Sequence, residues 1–493
     1  MLEQIKTMIE QGLLSEGNKA QGVYEKSVRR SESGMIFAFD AGDRDVLVGE
    51  ESLGLEGTGF EAGGKRWVLA EQTHENAQVL RRLFPFTAPA PILSKERTVG
   101  VGDRLGIASP GHIQVFEKYD AVPVLAQQSI RELNLTKRTF ADVLDSASFA
   151  VFREGFEKGF GADGDHVKTE EEVGYALSSG YTMITLDCSE HIRDDSNVSP
   201  EQLKKECESR VKELSPLYLD REFEAESNRI VFSEEELTRI CYIYGEAIDF
   251  AVGIWDKLIA DKQDRVDFEI SIDETSTPTT PAQHFFVANE LIRRGVRPVT
   301  VAPRFCGEFQ KGIDYIGDLA QFEKEFAVHA AIARHFGYKI SVHSGSDKFS
   351  VFETVGRLTR GRFHLKTAGT NWLEAMRVTA LHDPQLYREI HQYALDTAFN
   401  EARQFYHVTT DLTKIPSLDT LTDDQLPALF ENPDARQLIH ITYGQILNEK
   451  DAEGKPRFKD RLYAGWRTYR DEYERCLEKH IGRHLEELYK GIE

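Results

Sequence analysis

The sequence predicts an α/β protein of the (β/α)8 barrel type, with helical insertions and a small N-terminal α/β extension. Three observations carry this reading. Eight short apolar runs recur along the chain, each followed by polar residues. Amphipathic helical stretches lie between several of them, the pattern of parallel βαβ units. No repeat of fixed period and no long low-complexity segment points to a solenoid or propeller. A doubly wound open sheet is the alternative, but no glycine fingerprint with an acidic ribose partner supports it.

Residues 1–95 hold the strand-like pieces MIFAFDAG, RDVLVGE and KRWVLAEQ, then the helix-like HENAQVLRRLF. They read as a small α/β cap or an elaborated barrel entrance. The opening MLEQIKTMIEQGLLSEG is a charged amphipathic helix rather than a signal peptide. Residues 96–370 carry the eight barrel strands: TVGVGDRLG from Thr98, VPVLAQQS from Val122, GFGADGDH from Gly159, YTMITLDCS from Tyr181, DFEISIDET from Asp267, VTVAPRF from Val299, YKISVHSG from Tyr338 and RFHLKTAG from Arg362. GFGADGDH is glycine-rich and reads equally as loop. The helix from Asp318 places Leu319, Phe322, Phe326, Ala330 and Ala333 on one face, with His329 beside them. About residues 190–266 are too long for a simple crossover and read as helical insertions. Ser233 with Glu236 is a capping-box pattern opening a helix through Leu237, Ile240, Tyr244, Ala247, Ala251 and Ile254. Residues 371–493 read as a helical region packed on the barrel, ending in KHIGRHLEELYKGIE. The insertion and the C-terminal helices are the candidate subunit contacts of a homo-oligomer.

Composition narrows the function classes. A net charge of −22 opposes nonspecific nucleic-acid binding while leaving room for a local basic pocket. No apolar run approaches the roughly 18 residues of a membrane span. The five scattered cysteines form no CxxC pair, so neither a disulfide framework nor a thiolate zinc site is expected. The expectation is a cytoplasmic protein acting on a small molecule, without nucleic-acid or membrane partners.

If the runs are barrel strands, their C-terminal ends gather Asp103, Arg104, Gln127, Gln128, Asp165, His166, Asp187, Asp273, Glu274, Arg304, His343, His364 and Lys366 at one mouth. Ordinary barrel interiors are lined by branched apolar side chains, so such ends need water, partners or a ligand. His166, His343 and His364 are candidate ligands of a catalytic divalent cation, and imidazoles suit Zn, Ni, Mn or Fe. Hydrogen-bonded core histidines are the plainer reading of each alone. Asp165 and Glu274 are the candidate proton-transfer carboxylates. In a straight strand Asp165 and His166 face opposite ways, so using both requires a bend. Ser344 and Lys348, in the SGSDK loop after His343, can present donors to an anion, although a plain turn explains the loop as well. Arg304, Lys366 and Gln128 are further substrate-binding candidates. The helical pair His480 and His484 lacks an acidic third element and reads as a solvated face.

The strings GFGADGDHVK, SIDETSTPTTPAQHFF, RFCGEFQKGIDYIGDLAQFEKEF, ISVHSGSDKFS, FHLKTAGTNWLEA and RQLIHITYGQIL, with VGVGDRLGIASPGH and PVLAQQSIRE, resemble the tagaturonate/fructuronate epimerase family. The resemblance runs in consistent order from about residue 96 to the C-terminus. It implies a barrel-like, divalent-cation-dependent epimerase of a keto acid derived from a hexuronate, acting in galacturonate or glucuronate catabolism. It further implies Asp165 as proton acceptor, Glu274 as proton donor, and His166, His343 and His364 as metal ligands. Inverting a carbon one atom beyond the ketone's α position cannot proceed by simple enolisation, because that C–H is not acidic. Retro-aldol cleavage, rotation of the aldehyde and re-addition solve this, whereas transient oxidation lacks a nicotinamide fingerprint. The competing readings are a keto-sugar aldolase or isomerase, using the metal or a Schiff base at Lys366, and a carbohydrate-binding protein whose polar mouth is purely structural.

Overall fold

The computed structural model describes residues 1–14, 20–367 and 369–492. Its contacts divide the chain into two compact units. One comprises Met1–Ala90, Val101–Gly161 and Ala368–Gly482, and the other Pro91–Gly100, Ala162–Thr367 and Arg483–Glu493.

The first unit begins with the helix Leu2–Glu10, and the Ser15–Gly17 end of the predicted opening helix lies outside the described residues. An antiparallel sheet follows, formed by β1 (Arg29–Ser31), β2 (Gly34–Asp40), β3 (Asp45–Glu50), β4 (Thr58–Ala62) and β5 (Lys65–Ala70) in the order β1-β2-β3-β5-β4. Successive side chains of a strand face opposite ways. Ile36 and Ala38 therefore pack with Val79, Leu80, Phe149 and Phe152 on one face, while Phe37 and Phe39 pack with Ile5, Met8 and Trp67 on the other. The continuous apolar run of β2 reflects burial on both faces. In the C-terminal helices of this unit, Trp372, Met376, Tyr387, Trp466, Tyr473 and Leu477 share one core, and the two indole N–H groups donate to the carbonyls of Ile439 and Ala375.

Eight strands close a parallel barrel among the described residues: β6 (Arg97–Gly100), β7 (Val122–Gln128), β8 (Gly161–Val167), β9 (Met183–Asp187), β12 (Asp267–Ile272), β13 (Thr300–Pro303), β14 (Lys339–Val342) and β15 (Phe363–Lys366). They neighbour one another in that order, and β15 returns to β6. Every predicted strand is present, including the glycine-rich one. Between β9 and β12 the chain runs through the helices Pro200–Tyr218 and Glu234–Ile254, as expected. It also forms a hairpin of β10 (Glu222–Ala225) and β11 (Asn228–Val231) that the sequence reading missed. The turn places Glu226 at φ 54°, where glycine or asparagine would ordinarily announce it.

The predicted cap forms, with Ser233 accepting from the Glu236 N–H, and Asp318, which the sequence reading did not name as a cap, accepts from the Ala320 and Gln321 N–H groups. Leu319 is a correction. It lies in the first turn of its helix and is exposed, whereas Phe322, Phe326, Ala330 and Ala333 are buried. His484 is a second, because it is buried between Phe349 and Phe352, with Nε2 accepting from the Asp347 N–H. The five cysteines are unpaired. No helix among the described residues is long and apolar enough to cross a membrane.

Burial pushes the pKa values of His112, His329 and His391 down to about 4. In the unfolded chain such rings titrate near 6.5. Between those values the unfolded state binds protons that the folded state refuses, so each ring removes about 1.4 kcal/mol of stability per pH unit as pH falls from about 6.5 to about 4. Denaturant unfolding across that window is expected to show the decline, and a shallower one in His391→Phe.

Candidate active site

The second unit's barrel strands alternate between apolar residues and polar, buried ones. Val99, Ile184, Leu186, Phe268, Ile270, Ile340, Val342, Phe363 and Leu365 share one parity, and Thr98, Thr185, Glu269, Ser271, Lys339, Ser341, His364 and Lys366 share the other. The mutual hydrogen bonds of the second set show that the polar parity points inward. Lys366 is the hub. Its Nζ lies 2.9 Å from Asp163 Oδ2, 2.7 Å from Asp165 Oδ1, 2.9 Å from Glu269 Oε1 and 2.5 Å from Thr185 Oγ1.

Two imidazoles attach to this hub through its carboxylates. His166 Nδ1 is 2.8 Å from Asp165 Oδ1, and His343 Nε2 is 2.7 Å from Glu269 Oε1. The strand bend needed for Asp165 and His166 to act together is present. The β8–β9 register shifts between Gly164 and Val167, and His166 takes φ 52°. Its ring then lies 4.9 Å from that of His343, centroid to centroid. His343 Nδ1 faces Asp273 Oδ1 at 3.1 Å. His166, His343 and Asp273 thus offer donor atoms within 4.8 Å of one another.

The charges are mutually arranged. Burial opposes ionisation of Asp165 and Glu269, but Lys366, with His166 at Asp165 and His343 at Glu269, outweighs it and holds both carboxyls well below the usual range. Asp163 is the exception, and burial pushes it up to about 6. Burial likewise opposes the charge on His166, yet Asp165 raises that ring to about 10, and Asp273 and Glu269 raise His343. The pocket therefore attracts positive charge at its imidazoles. Two imidazoles and a carboxylate are also a fitting donor set for a borderline divalent cation.

The remaining predicted residues divide. Glu274 is exposed, and its charge adds to the pull on His166 and Lys168. Arg304 is half-buried after β13, its backbone N–H donating to Thr279 Oγ1 and its side chain 3.9 Å from Glu308. Ser344, at φ 48°, accepts from Lys311 Nζ at 3.0 Å. Gln128 ends β7 with both amide atoms buried and without a hydrogen-bond partner among the described residues.

His364 is not in the group with His166 and His343. It lies two residues before Lys366, its Nδ1 2.9 Å from Thr98 Oγ1, and burial lowers it to about 3. Lys348 does not face an anion site: its fully buried ammonium donates to the carbonyls of Gln310, Ile313 and Ser346. It clamps the loop after β13 onto the loop after β14. Asp103 accepts the N–H groups of Leu105, Gly106, Ala108 and Ser109, and Arg104 pairs with Glu132, so both are architectural.

Sequence reading missed Asp163 and Glu269, and it placed Asp273 at the mouth without assigning it a role. Their signal was the alternation within GADGDH and DFEISID, where every second residue is polar in a run otherwise read as buried.

A profile of the tagaturonate epimerase family, UxaE, matches residues 24–488. The chain belongs to this family. It is therefore an isomerase. It is 42% identical over 473 residues to the tagaturonate/fructuronate epimerase of Thermotoga maritima, covering 94% of this chain and 96% of the relative. Among solved structures it is similar to the fructuronate-tagaturonate epimerase UxaE of Cohnella laeviribosi in complex with one glycerol, with 50% identity, a TM-score of 0.92, and coverage of 95% of this chain and 96% of that one. The native form of the same enzyme matches with 48% identity, a TM-score of 0.92, and coverage of 98% and 99%.

Removing the hub leaves Asp163, Asp165 and Glu269 buried without their common cation. Lys366→Met is expected to lose about 3–5 kcal/mol of stability, the cost of breaking a buried pair, measured by denaturant unfolding against wild type.

Proposed function

We propose that the protein interconverts D-tagaturonate and D-fructuronate, with His166, His343 and Asp273 holding a divalent cation. The observation that carries this reading is the convergence of two imidazoles and a carboxylate on one point, each imidazole backed by a buried carboxylate. The family supports the substrate, since relatives covered over nearly their whole length bear the names of these keto acids.

The substrate constrains the chemistry. The carbon to be inverted carries a hydroxyl and lies β to the ketone. A base takes the proton of that hydroxyl, the bond between the α and β carbons breaks, and its electron pair passes to the ketone fragment as an enediolate. The β carbon becomes an aldehyde. After the aldehyde rotates, the enediolate adds back to its other face and the new alkoxide regains a proton. No oxidant or reductant is consumed. A divalent cation bound by His166, His343 and Asp273 would supply Lewis acidity to the ketone and alkoxide oxygens.

Asp165 is the proton acceptor in this proposal. It is held ionised, as an acceptor must be, although Lys366 and His166 lower its basicity. Glu274 is the exposed proton carrier beside His166. Arg304, Ser344 and Gln128 are the proposed contacts to substrate oxygens.

Lys366 is a poor imine former. Its ammonium lies against three carboxylates, which, against burial, raise its pKa well above the ordinary value and leave the nitrogen no free lone pair.

Two measurements test these statements. Protein treated with a chelator is expected to stop converting tagaturonate to fructuronate and to recover when one divalent cation is restored; unchanged turnover after stripping would refute the metal reading. Borohydride added with substrate is expected to leave Lys366 unmodified by mass spectrometry, and a reduced adduct there would replace this mechanism with the Schiff-base one.

A further inference from the structure

The hydrogen bonds around Glu269 carry an inference that rests on the proposed cation site and adds a residue to it. Glu269 has a fully buried side chain in the barrel interior. Its Oε2 accepts from Thr300 Oγ1 at 2.6 Å, and its Oε1 meets Lys366 Nζ at 2.9 Å, Thr185 Oγ1 at 3.2 Å and His343 Nε2 at 2.7 Å. These donors come from β13, β15, β9 and the end of β14, so the carboxylate is fixed from four directions.

An ionised carboxylate can only accept hydrogen bonds, so the ring nitrogen facing it must carry the proton. In a neutral imidazole the other nitrogen then holds the lone pair. For His343 that nitrogen is Nδ1, 3.1 Å from Asp273 Oδ1; this contact needs a proton unless a cation shared by the two atoms takes its place. His166 is arranged the opposite way, because its Nδ1 faces Asp165 and its Nε2 is left as the donor. Both backing carboxylates meet the same Lys366 ammonium, which fixes the two rings relative to each other.

We propose that Glu269 is a positioning residue that sets the tautomer of His343, so that this ring offers a cation Nδ1 while His166 offers Nε2. Glu269 touches neither the cation nor the substrate. It acts through His343, as carboxylates behind metal-bound histidines generally do, and loss of such a partner typically weakens metal binding by about 10–100-fold.

The first experiment is nitrogen-15 NMR of wild-type protein labelled at histidine and titrated with cadmium-113 alone. The expected spectrum shows cadmium coupled to Nδ1 of one histidine and Nε2 of another, assigned as His343 and His166 by loss of the signals in His343→Ala and His166→Ala. Coupling through Nε2 at His343 would overturn the proposal and leave the cation site standing. Absence of any cadmium binding would overturn both. The second experiment is calorimetric titration of cadmium into Glu269→Gln, with its melting temperature recorded alongside. Affinity lowered about 10–100-fold in a variant that remains folded supports the assignment, whereas wild-type affinity in the folded fraction refutes it.

Discussion

The contact on which the rest of this site depends is the single ammonium of Lys366 among three carboxylates inside the barrel. A (β/α)8 interior is ordinarily filled with branched apolar side chains. Here Asp163, Asp165 and Glu269 occupy that space largely shielded from water; the attraction of Lys366 outweighs desolvation at Asp165 and Glu269 and only partly offsets it at Asp163. The carboxylates come from β8 and β12 and the ammonium from β15, so the cluster also fixes where these strands' side chains sit. Asp165 and Glu269 then act as fixed anchors for His166 and His343.

Charge balance explains why this arrangement suits a cation. Against their burial, a pocket with four nearby carboxylates and one ammonium raises the pKa of His166 to about 10 and that of His343 above its ordinary value. A dication bound by these rings would compete with protons for them, because only the neutral imidazole donates a lone pair. The same negative field disfavours an anionic intermediate unless a positive centre lies beside it. In the proposed reaction, holding a cation and stabilising an enediolate would be one electrostatic requirement.

The barrel was legible because each strand is short, apolar at alternate positions and ends in polar residues. Even GADGDH, where glycines weaken strand propensity, keeps this form, since its inward positions are the aspartates that Lys366 binds. The β10–β11 hairpin was not legible, because its turn uses Glu226 in a conformation that carries no sequence marker. In the site, His166 and His343 were readable from their positions at strand ends. Glu269 was hidden because a charged residue within an apolar run looks like an outward-facing surface position, and only barrel closure shows it points inward. Asp273 was passed over for its neighbour Glu274, a choice that depends on the direction of one loop peptide. Lys348 was misread for a related reason: an ammonium beside small residues suggests an anion grip, but the chain folds its own carbonyls around it.

That last clamp bears on how the protein binds anything at its mouth. Ordering a residue's backbone costs about 1–2 kcal/mol in conformational entropy. Lys348 joins two loops through the carbonyls of Gln310 and Ile313 and holds Ser346 of its own loop, and Asp314 adds a contact to Ser350, so this cost is met when the chain folds. A ligand at the proposed Ser344 contact would meet a loop that these bonds have already ordered. Its affinity would then reflect the contacts it makes rather than the disorder it must remove.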